Sequence, residues 1–203
     1  LFLGIGGALL REFLDSTVGS SGEVRHSVGL TTLGVVPDAQ YLEGEAFQQK
    51  IENFTEEHGL LRVAPRSHTE LSAKELIYNQ SPLSIMNEAY RTVRTSLLLA
   101  HGEKPPQVIL LTSPSPGEGK TVTSLNLSIA LAQDGHNVLL VDADMRRGRC
   151  HTALGLRNHR GLSNVLSGLL SLEKSIQPTP ITGLSLMSCG APTANPAELL
   201  GSQ

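Results

Sequence analysis

Residues 112–121 read Thr-Ser-Pro-Ser-Pro-Gly-Glu-Gly-Lys-Thr, and this stretch decides the fold of the chain. It follows the apolar run 108–111 and precedes a helical pattern, so it predicts a strand, a glycine-bearing loop and a helix in the order of a phosphate-binding P-loop. Glycines let the backbone turn tightly and point N–H groups at phosphate oxygens, beside the positive end of the following helix. Pro114 stands where the P-loop consensus has its first glycine, so the surrounding sequence has to support the assignment.

The loop supplies residue types that hold a nucleotide. Lys120 is a point charge that can reach the β- and γ-phosphates, and the hydroxyl of Thr121 can bind Mg²⁺. The residues predicted to bind the nucleotide are Pro116, Gly117, Glu118, Gly119, Lys120, Thr121 and Val122.

The pattern after the loop predicts one βαβ unit. Apolar residues recur on one helical face, and Gly135 stands where a C-terminal cap is expected. A second apolar run, 138–141, then follows at a distance that suits a crossover between parallel strands. The predicted fold is therefore α/β, with a P-loop NTPase-type parallel sheet flanked by helices. The residues of the helical face are Val122, Leu125, Ile129 and Ala132.

Two aspartates follow the second predicted strand. Asp142 and Asp144 alternate, so they project to one side at the carboxyl end of the strand, where open α/β sheets bind ligands. Two carboxylates beside a phosphate loop can hold Mg²⁺ or its waters, or accept a proton. In the alternative interpretation they are helix-capping or turn residues, which does not explain their distance of one βαβ unit from the loop.

Most of residues 82–203 resemble the bacterial tyrosine kinases, the autokinases that govern capsule and exopolysaccharide synthesis. Asp-x-Asp-x-Arg after an apolar strand is similar to the second Walker-type motif of that family. Together with a Glu-x-x-Arg-x-x-Arg helix it is far more specific than the P-loop alone. Four motifs occur in the order of the family: Glu88–Arg94, Asp142–Arg146, Gly161–Gly168 and Asn195–Leu200.

The resemblance implies transfer of the γ-phosphate of ATP to tyrosines on neighbouring copies, with ATP and Mg²⁺ as cofactors. It implies that Lys120, Asp142 and Asp144 are catalytic, and that Thr121, Asp142 and Asp144 bind the metal. The roles of the two aspartates are left undivided. The implied partners are further copies in a ring, the polysaccharide polymerase and export machinery, a tyrosine phosphatase and the bacterial inner membrane, with the kinase part in the cytoplasm.

A helix is predicted from Ser81-Pro82, an N-cap followed by proline, to about Ala100. Glu88, Arg91 and Arg94 recur along it at steps of three. Spacing alone favours an intrahelical Glu–Arg pair worth a few tenths of a kcal/mol. The family resemblance instead favours arginines that reach carboxylates of a neighbouring subunit, because this motif builds ring-shaped oligomers in the family.

Two other function classes remain open. The partition and septum-site ATPases are similar in fold, but they carry a second lysine in the loop where this chain has Ser115, which favours the kinase. A non-catalytic chain-length scaffold would have a degenerate nucleotide site, whereas Gly-Lys-Thr and both aspartates are present here.

Composition gives no sign of nucleic-acid binding, because the net charge is −3 and aromatic residues make up only 3% of the 203 residues. Cys150 and Cys189 are far apart in sequence and lack a C-x-x-C partner, so no zinc or redox motif is expected. Cys150, His151 and His159 do not have metal-site spacing, and ordinary packed or solvated side chains are predicted for them.

The amino-terminal residues 1–15 predict the end of a transmembrane helix and its cytoplasmic exit, although ten apolar residues are too few to span a bilayer. A buried helix is the alternative. Residues 16–80 are predicted to be a juxtamembrane linker, and residues 81–203 the amino-terminal part of a P-loop kinase domain. No apolar strand ending in Asp-x-Pro-Pro and no tyrosine cluster follow Asp144, so the fragment alone is expected to be inactive.

Further elements are predicted along the chain. They are a strand over 31–36, helices over 43–58 and 162–170, a strand over 183–188, and a helix from Asn195-Pro196. The basic cluster 146–149 is either a contact for phosphates or an acidic partner, or a solvated turn.

Overall fold

The computed structural model describes residues 29–37, 84–100 and 104–201. The predictions for residues 1–28, including the membrane segment, and for 43–58 lie outside these ranges. Residues 29–35 belong to a first compact unit, and Val36 and all later described residues belong to a second. The strand predicted over 31–36 is wrong, because these residues have no regular secondary structure.

Helix α1 spans Ile85–Leu99. Ser84 caps it with extended backbone, and its hydroxyl accepts a hydrogen bond from the amide of Asn87 at 3.1 Å. The predicted start at Ser81-Pro82 is therefore three residues too early. The predicted end near Ala100 is confirmed, since Ala100 is the C-cap.

Helix α2 spans Lys120–Gln133, and Gly119 is its N-cap. This start agrees with the loop sequence. Its end is a Schellman motif. Gly135, at φ +89°, donates its N–H to Ala132 O, and His136 donates to Leu131 O. The predicted glycine cap is confirmed.

Among the described residues, the sheet has three strands in the order β1-β3-β2. Strand β1 (Val138–Val141) runs parallel to β3 (Leu184–Met187), with Val138 opposite Leu184 and Val141 opposite Met187. Strand β2 (Gln177–Pro178) pairs with β3 antiparallel. The sheet is therefore mixed rather than wholly parallel. A proline is tolerated in β2 because edge strands need fewer backbone donors.

The strand predicted over 108–111 is not formed. Val108 is 89% and Leu110 85% exposed, and no described strand pairs with the run. A strand needs a ladder partner for its backbone groups, and β1 pairs only with β3 among the described residues. Only the helix and the second strand of the predicted βαβ unit are therefore present.

Four short helices complete the described part: α3 (Cys150–Ala153), α4 (Leu162–Leu166), α5 (Leu172–Ser175) and α6 (Pro196–Gly201). Helix α4 is shorter than the predicted 162–170, because Gly168 turns at φ +71°. The predicted strand near 183–188 and the helix from Asn195-Pro196 are confirmed.

The core forms around α2, which contacts α1, β1 and β3. Residues 125–132 of α2 are all buried, and Tyr90 of α1 is 1% exposed within the same apolar cluster. Within the described ranges, no helix is both long enough and apolar enough to cross a bilayer. The core thus fixes the start of α2 and the end of β1, which carry the predicted site residues.

Candidate nucleotide site

The lysine of the loop is held by the loop itself. The ammonium of Lys120 donates to Ser113 Oγ at 2.8 Å and to the carbonyl of Ser115 at 3.0 Å. The hydroxyl of Ser113 donates in turn to the same carbonyl at 2.9 Å. The P-loop motif does not single out Ser113. Its position seven residues before Lys120, with the glycines between them, was the only available signal.

The glycines take the conformations that the loop requires. Gly117 has φ +85° and Gly119 has φ +81°, which is the left-handed region where residues with a side chain are strained. Glu118 closes the loop, because its carboxylate accepts the amide of Ser115 at 3.2 Å. The predicted nucleotide-binding residues 116–122 are thus consecutive positions of one turn leading into α2.

The N–H groups of this turn match an anionic ligand. Among the described residues, the amides of 117–121 have no hydrogen-bond acceptor, while Thr123 already donates to Gly119 O at 2.8 Å. A Cβ on Gly117 would meet nothing within 4 Å, so the space beside this glycine is open. Unpaired N–H groups at a helix start, beside an ammonium, are the donor set that binds phosphate oxygens.

Asp142 is 6% exposed and follows β1. Its Oδ1 accepts the amide of Asp144 at 3.2 Å, and its Oδ2 accepts the amide of Cys150 at 3.1 Å. Its own N–H donates to Met187 O at 2.9 Å, which continues the β1–β3 ladder. Asp142 therefore fixes the start of α3 on the carboxyl end of the sheet.

Asp144 is exposed and organises a turn. Its Oδ1 accepts the amides of Arg146 at 3.2 Å and Arg147 at 2.9 Å. The capping and turn interpretation of the two aspartates thus describes their contacts. It does not exclude ligand binding, because a carboxylate has about four acceptor positions and the backbone amides occupy two on each aspartate.

Oxygen ligands for Mg²⁺ are available in this set. The hydroxyl of half-buried Thr121 has no hydrogen-bond partner among the described residues, and Oδ2 of Asp144 accepts none there. Hydroxyl and carboxylate oxygens are the donors that Mg²⁺ prefers, so the residues present suit that ion. Within the described ranges, no hydrogen bond or ion pair joins Asp142 or Asp144 to Lys120 or Thr121.

The Glu-x-x-Arg-x-x-Arg residues have partners within the chain. Arg91 donates to Glu88 at 2.7 Å, an exposed intrahelical pair. Arg94 is 18% exposed, donates to Ala130 O at 3.1 Å and lies 3.3 Å from the carboxylate of Asp134. The spacing-based interpretation is thus realised for Arg91, while Arg94 ties α1 to α2. A role of these residues between subunits stays a prediction.

The basic cluster 146–149 forms a turn, and its three arginine side chains are exposed. The two thiols lie deeper in the protein. Burial, with a contribution from the neighbouring Asp142 carboxylate, raises the pKa of the Cys150 thiol well above its usual range. Burial also raises the pKa of Cys189, against the opposing effect of a hydrogen bond with Asn158. Sequence spacing gave no sign that the two thiols share one region with Asp142.

Comparison with known proteins identifies the family of the chain. The family model described as the CobQ/CobB/MinD/ParA nucleotide binding domain matches residues 109–176. The tyrosine-protein kinase YwqD of Bacillus subtilis is 39% identical over 130 residues, which cover 64% of this chain and 55% of YwqD. The tyrosine-protein kinase wzc of Salmonella typhimurium is 30% identical over all 203 residues, which cover 26% of its length.

Solved structures agree. The BceF tyrosine kinase domain matches with a TM-score of 0.68 and 32% identity, over 91% of this chain and 67% of that one. The kinase domain of the Escherichia coli tyrosine kinase ETK matches with a TM-score of 0.69 and 27% identity, over 90% of this chain and 65% of that one. The chain thus has a P-loop NTPase-like α/β fold with a mixed sheet and a nucleotide-binding domain, and it spans about half or less of the curated relatives named above. The chain belongs to the bacterial tyrosine kinase family.

Proposed function

We propose that the protein containing this chain is an ATP-dependent tyrosine autokinase. The observation that carries the proposal is the lysine clamp at the start of α2. Lys120 spans the loop to Ser113 and Ser115, beside the unpaired amides of 117–121. This arrangement concentrates positive charge where the β- and γ-phosphates of ATP would lie.

Phosphate binding and metal binding fall to different residues of the site. Lys120 and the loop amides bind phosphate oxygens, and Val122 completes the first turn of the helix. Thr121, Asp142 and Asp144 hold Mg²⁺ directly or through its waters. When bound, Mg²⁺ neutralises charge on the phosphates, so catalysis consists mainly of positioning and electrostatic stabilisation.

The acceptor is a tyrosine hydroxyl. Its oxygen bonds to the γ-phosphorus while the bond from that phosphorus to the bridging oxygen breaks, and ADP leaves. The hydroxyl proton passes to a carboxylate, for which Asp142 and Asp144 are the candidates. Tyr90 cannot be the acceptor, because it is 1% exposed within the core. The acceptor therefore lies elsewhere, on a neighbouring copy by family resemblance.

Assembly into a ring is part of the proposal. Glu88 and Arg91 have side-chain exposures of 59% and 43%, so both remain accessible to a neighbour. Arg94 is committed to Ala130 and Asp134 within the chain, so its contribution to assembly would be indirect. We expect Arg91→Ala to reduce the oligomer mass measured by light scattering. An unchanged mass would remove Glu88 and Arg91 from the interface.

The cellular setting rests on the family resemblance. We place residues 1–15 at the end of a transmembrane helix in the bacterial inner membrane, residues 16–80 in a linker, and residues 81–203 in the cytoplasmic kinase domain. The kinase would tune polysaccharide polymerisation and export, in concert with a tyrosine phosphatase.

The fate of the γ-phosphate tests the reaction. The full-length protein is incubated with ATP labelled at that position, and the label is followed into phosphotyrosine and inorganic phosphate. Phosphotyrosine on the protein supports the kinase. Release of inorganic phosphate alone would identify an ATPase switch of the partition type, and failure to bind ATP would identify a scaffold.

A further inference from the structure

Three different metal-binding side chains meet at the carboxyl end of β1. One carboxylate oxygen of Asp142, one ring nitrogen of His151 and the sulfur of Cys189 all lie within 4.8 Å of one another. They come from three places in the sequence: after β1, within α3 and after β3. The fold, rather than local spacing, brings them together.

Two of the three side chains lie in the interior, and His151 is half-buried. Asp142 and Cys189 are each 6% exposed. A Cβ on Gly148 would lie 2.5 Å from the sulfur of Cys189 and 2.9 Å from Oδ2 of Asp142, so the backbone at this glycine packs directly on the cluster. The attraction between a cation and a carboxylate or thiolate is stronger in such a low-dielectric place than in water.

His151 carries an unpaired buried atom. Its Nδ1 is buried and has no hydrogen-bond partner in the described part of the chain, while its Nε2 lies 3.2 Å from the hydroxyl of Thr152. An unsatisfied buried polar atom costs about 1–3 kcal/mol, so its presence calls for a partner. A metal ion bound at this nitrogen would provide one.

The ligands are already oriented by neighbours. The amide of Asn158 donates to the sulfur of Cys189 at 3.3 Å, and the amide of Cys150 donates to Asp142 at 3.1 Å. The hydroxyl of Thr152 contacts Nε2 of His151. Such outer contacts fix the orientation of metal ligands in known sites.

We propose that Asp142, His151 and Cys189 form a binding site for a divalent transition metal of the zinc type. One sulfur, one nitrogen and one oxygen donor suit Zn²⁺ and disfavour Mg²⁺ and Ca²⁺, which prefer oxygen alone. Tetrahedral zinc bonds place such ligand atoms roughly 3.3–3.6 Å apart, so a pair at the 4.8 Å limit would have to close by about 1.2–1.5 Å. The fourth position is left for water, and the thiol proton passes to solvent on binding.

The proposed metal would act on the nucleotide site through Asp142, and this consequence rests on the proposed function. Mg²⁺ at the nucleotide site and the proposed buried ion would compete for the same Asp142 carboxylate. Zinc therefore inhibits phosphoryl transfer by withdrawing Asp142.

Cobalt(II) provides a direct test. The purified, metal-free chain is titrated with Co²⁺ under reducing conditions and the absorption spectrum is recorded. The chain has only two cysteines, so a sulfur-to-cobalt charge-transfer band must arise from Cys150 or Cys189. We expect one equivalent to bind with tetrahedral bands that Zn²⁺ abolishes. The absence of a charge-transfer band at saturation would overturn the site.

Variants assign the ligands. Cys189→Ser should remove the band, Cys150→Ser should retain it, and His151→Gln should weaken Co²⁺ binding by about tenfold or more. His159→Gln, at an exposed histidine nearby in sequence, is the matched control and should bind normally. A band lost in Cys150→Ser but kept in Cys189→Ser would refute the assignment. Circular dichroism checks folding, and if Cys189→Ser does not fold, His151→Gln carries the test because it alters a half-buried residue.

The inhibitory role is measured separately. Zn²⁺ should slow autophosphorylation of the full-length protein, and Cys189→Ser should lose this sensitivity relative to its own zinc-free rate. A normal cobalt spectrum with no effect of zinc on the rate would refute the inhibition and leave the metal site intact. A normal cobalt spectrum in a protein that makes no phosphotyrosine would count against the proposed kinase function alone.

Discussion

The ammonium of Lys120 donates a hydrogen bond of 2.8 Å to the hydroxyl of Ser113, seven residues earlier in the chain. Gly117 and Gly119, both at positive φ, lie between the two residues. The lysine therefore closes the loop that it belongs to, and its charge is held at the loop by two hydrogen bonds. Positioning of this kind lowers the conformational entropy lost on binding.

Replacement of the lysine should weaken nucleotide binding. Lys120→Met keeps most of the apolar length of the side chain but removes a charged donor, and hydrogen bonds to charged groups contribute about 1.5–3 kcal/mol. We expect the Kd for a fluorescent ADP analogue to rise by about 10- to 150-fold. Lys104→Met is the control, because Lys104 is an exposed lysine outside the loop. Equal affinities of the two variants would contradict the role of Lys120.

The backbone of Gly119 can be tested against a matched glycine. Gly119 and Gly168 both have positive φ, at +81° and +71°, and an added Cβ would meet nothing closer than 4.0 Å at either position. Alanine should therefore cost about 1–2 kcal/mol of folding stability at both sites. Only Gly119→Ala should also weaken ADP binding, because Gly119 caps the helix whose first amides belong to the proposed phosphate site. A similar loss of affinity in Gly168→Ala would show that instability alone explains the effect.

Arg94→Ala should lower the free energy of unfolding much more than Arg91→Ala. Arg94→Ala removes the donor to Ala130 O, and leaving such a part-buried acceptor unpaired costs about 1–3 kcal/mol. The exposed pair of Arg91 with Glu88 contributes about 0.3–0.5 kcal/mol at most. Urea unfolding of both variants measures the difference. Equal midpoints would show that Arg94 does not tie α1 to α2 in solution.

Stability should fall in alkaline solution because of the two buried thiols. Folding raises the pKa of Cys150 and Cys189, so the folded state retains protons that the unfolded state loses above its thiol pKa of about 8.5. The unfolded state then binds fewer protons, and the free energy of unfolding decreases as the pH rises. The limit is about 1.4 kcal/mol per pH unit for each thiol.

The slope of stability against pH isolates this effect from packing losses. Urea unfolding is measured from pH 8 to 10 under reducing conditions for the wild-type chain and for Cys150→Ala. The variant is expected to be less stable at pH 8 but to lose stability more slowly as the pH rises. Parallel slopes would mean that the Cys150 thiol titrates alike in the folded and unfolded chains.

Sequence patterns predicted the ends of α2 correctly, because these ends depend on residues next to one another in the chain. Gly119 and Gly135 delimit α2 as expected, since a positive φ at a helix end favours glycine wherever the helix lies. The prediction of a strand at 108–111 was wrong because a strand forms only where a neighbouring strand pairs with it. An apolar run in the sequence does not specify that partner. The start of α1 was predicted three residues too early because Ser81 and Ser84 are equally good N-caps, and the structure uses Ser84.

The candidate site was predictable where its residues are contiguous. Residues 116–122 form one loop and turn, so the motif specified their arrangement. The cluster of Asp142, His151 and Cys189 depends on the parallel pairing of β1 with β3, which places Cys189 beside Asp142 although they are 47 positions apart in the sequence. Metal-site spacing rules are local, and they could not reveal a site assembled from three segments.

Phosphotyrosine on the full-length protein is the most direct test of the kinase. Wild type and Lys120→Met are produced in a host without its own tyrosine kinase and compared on an anti-phosphotyrosine blot at equal protein loading. We predict strong labelling of the wild type and none of the variant. Equal labelling of the two proteins would contradict phosphoryl transfer at the Lys120 loop.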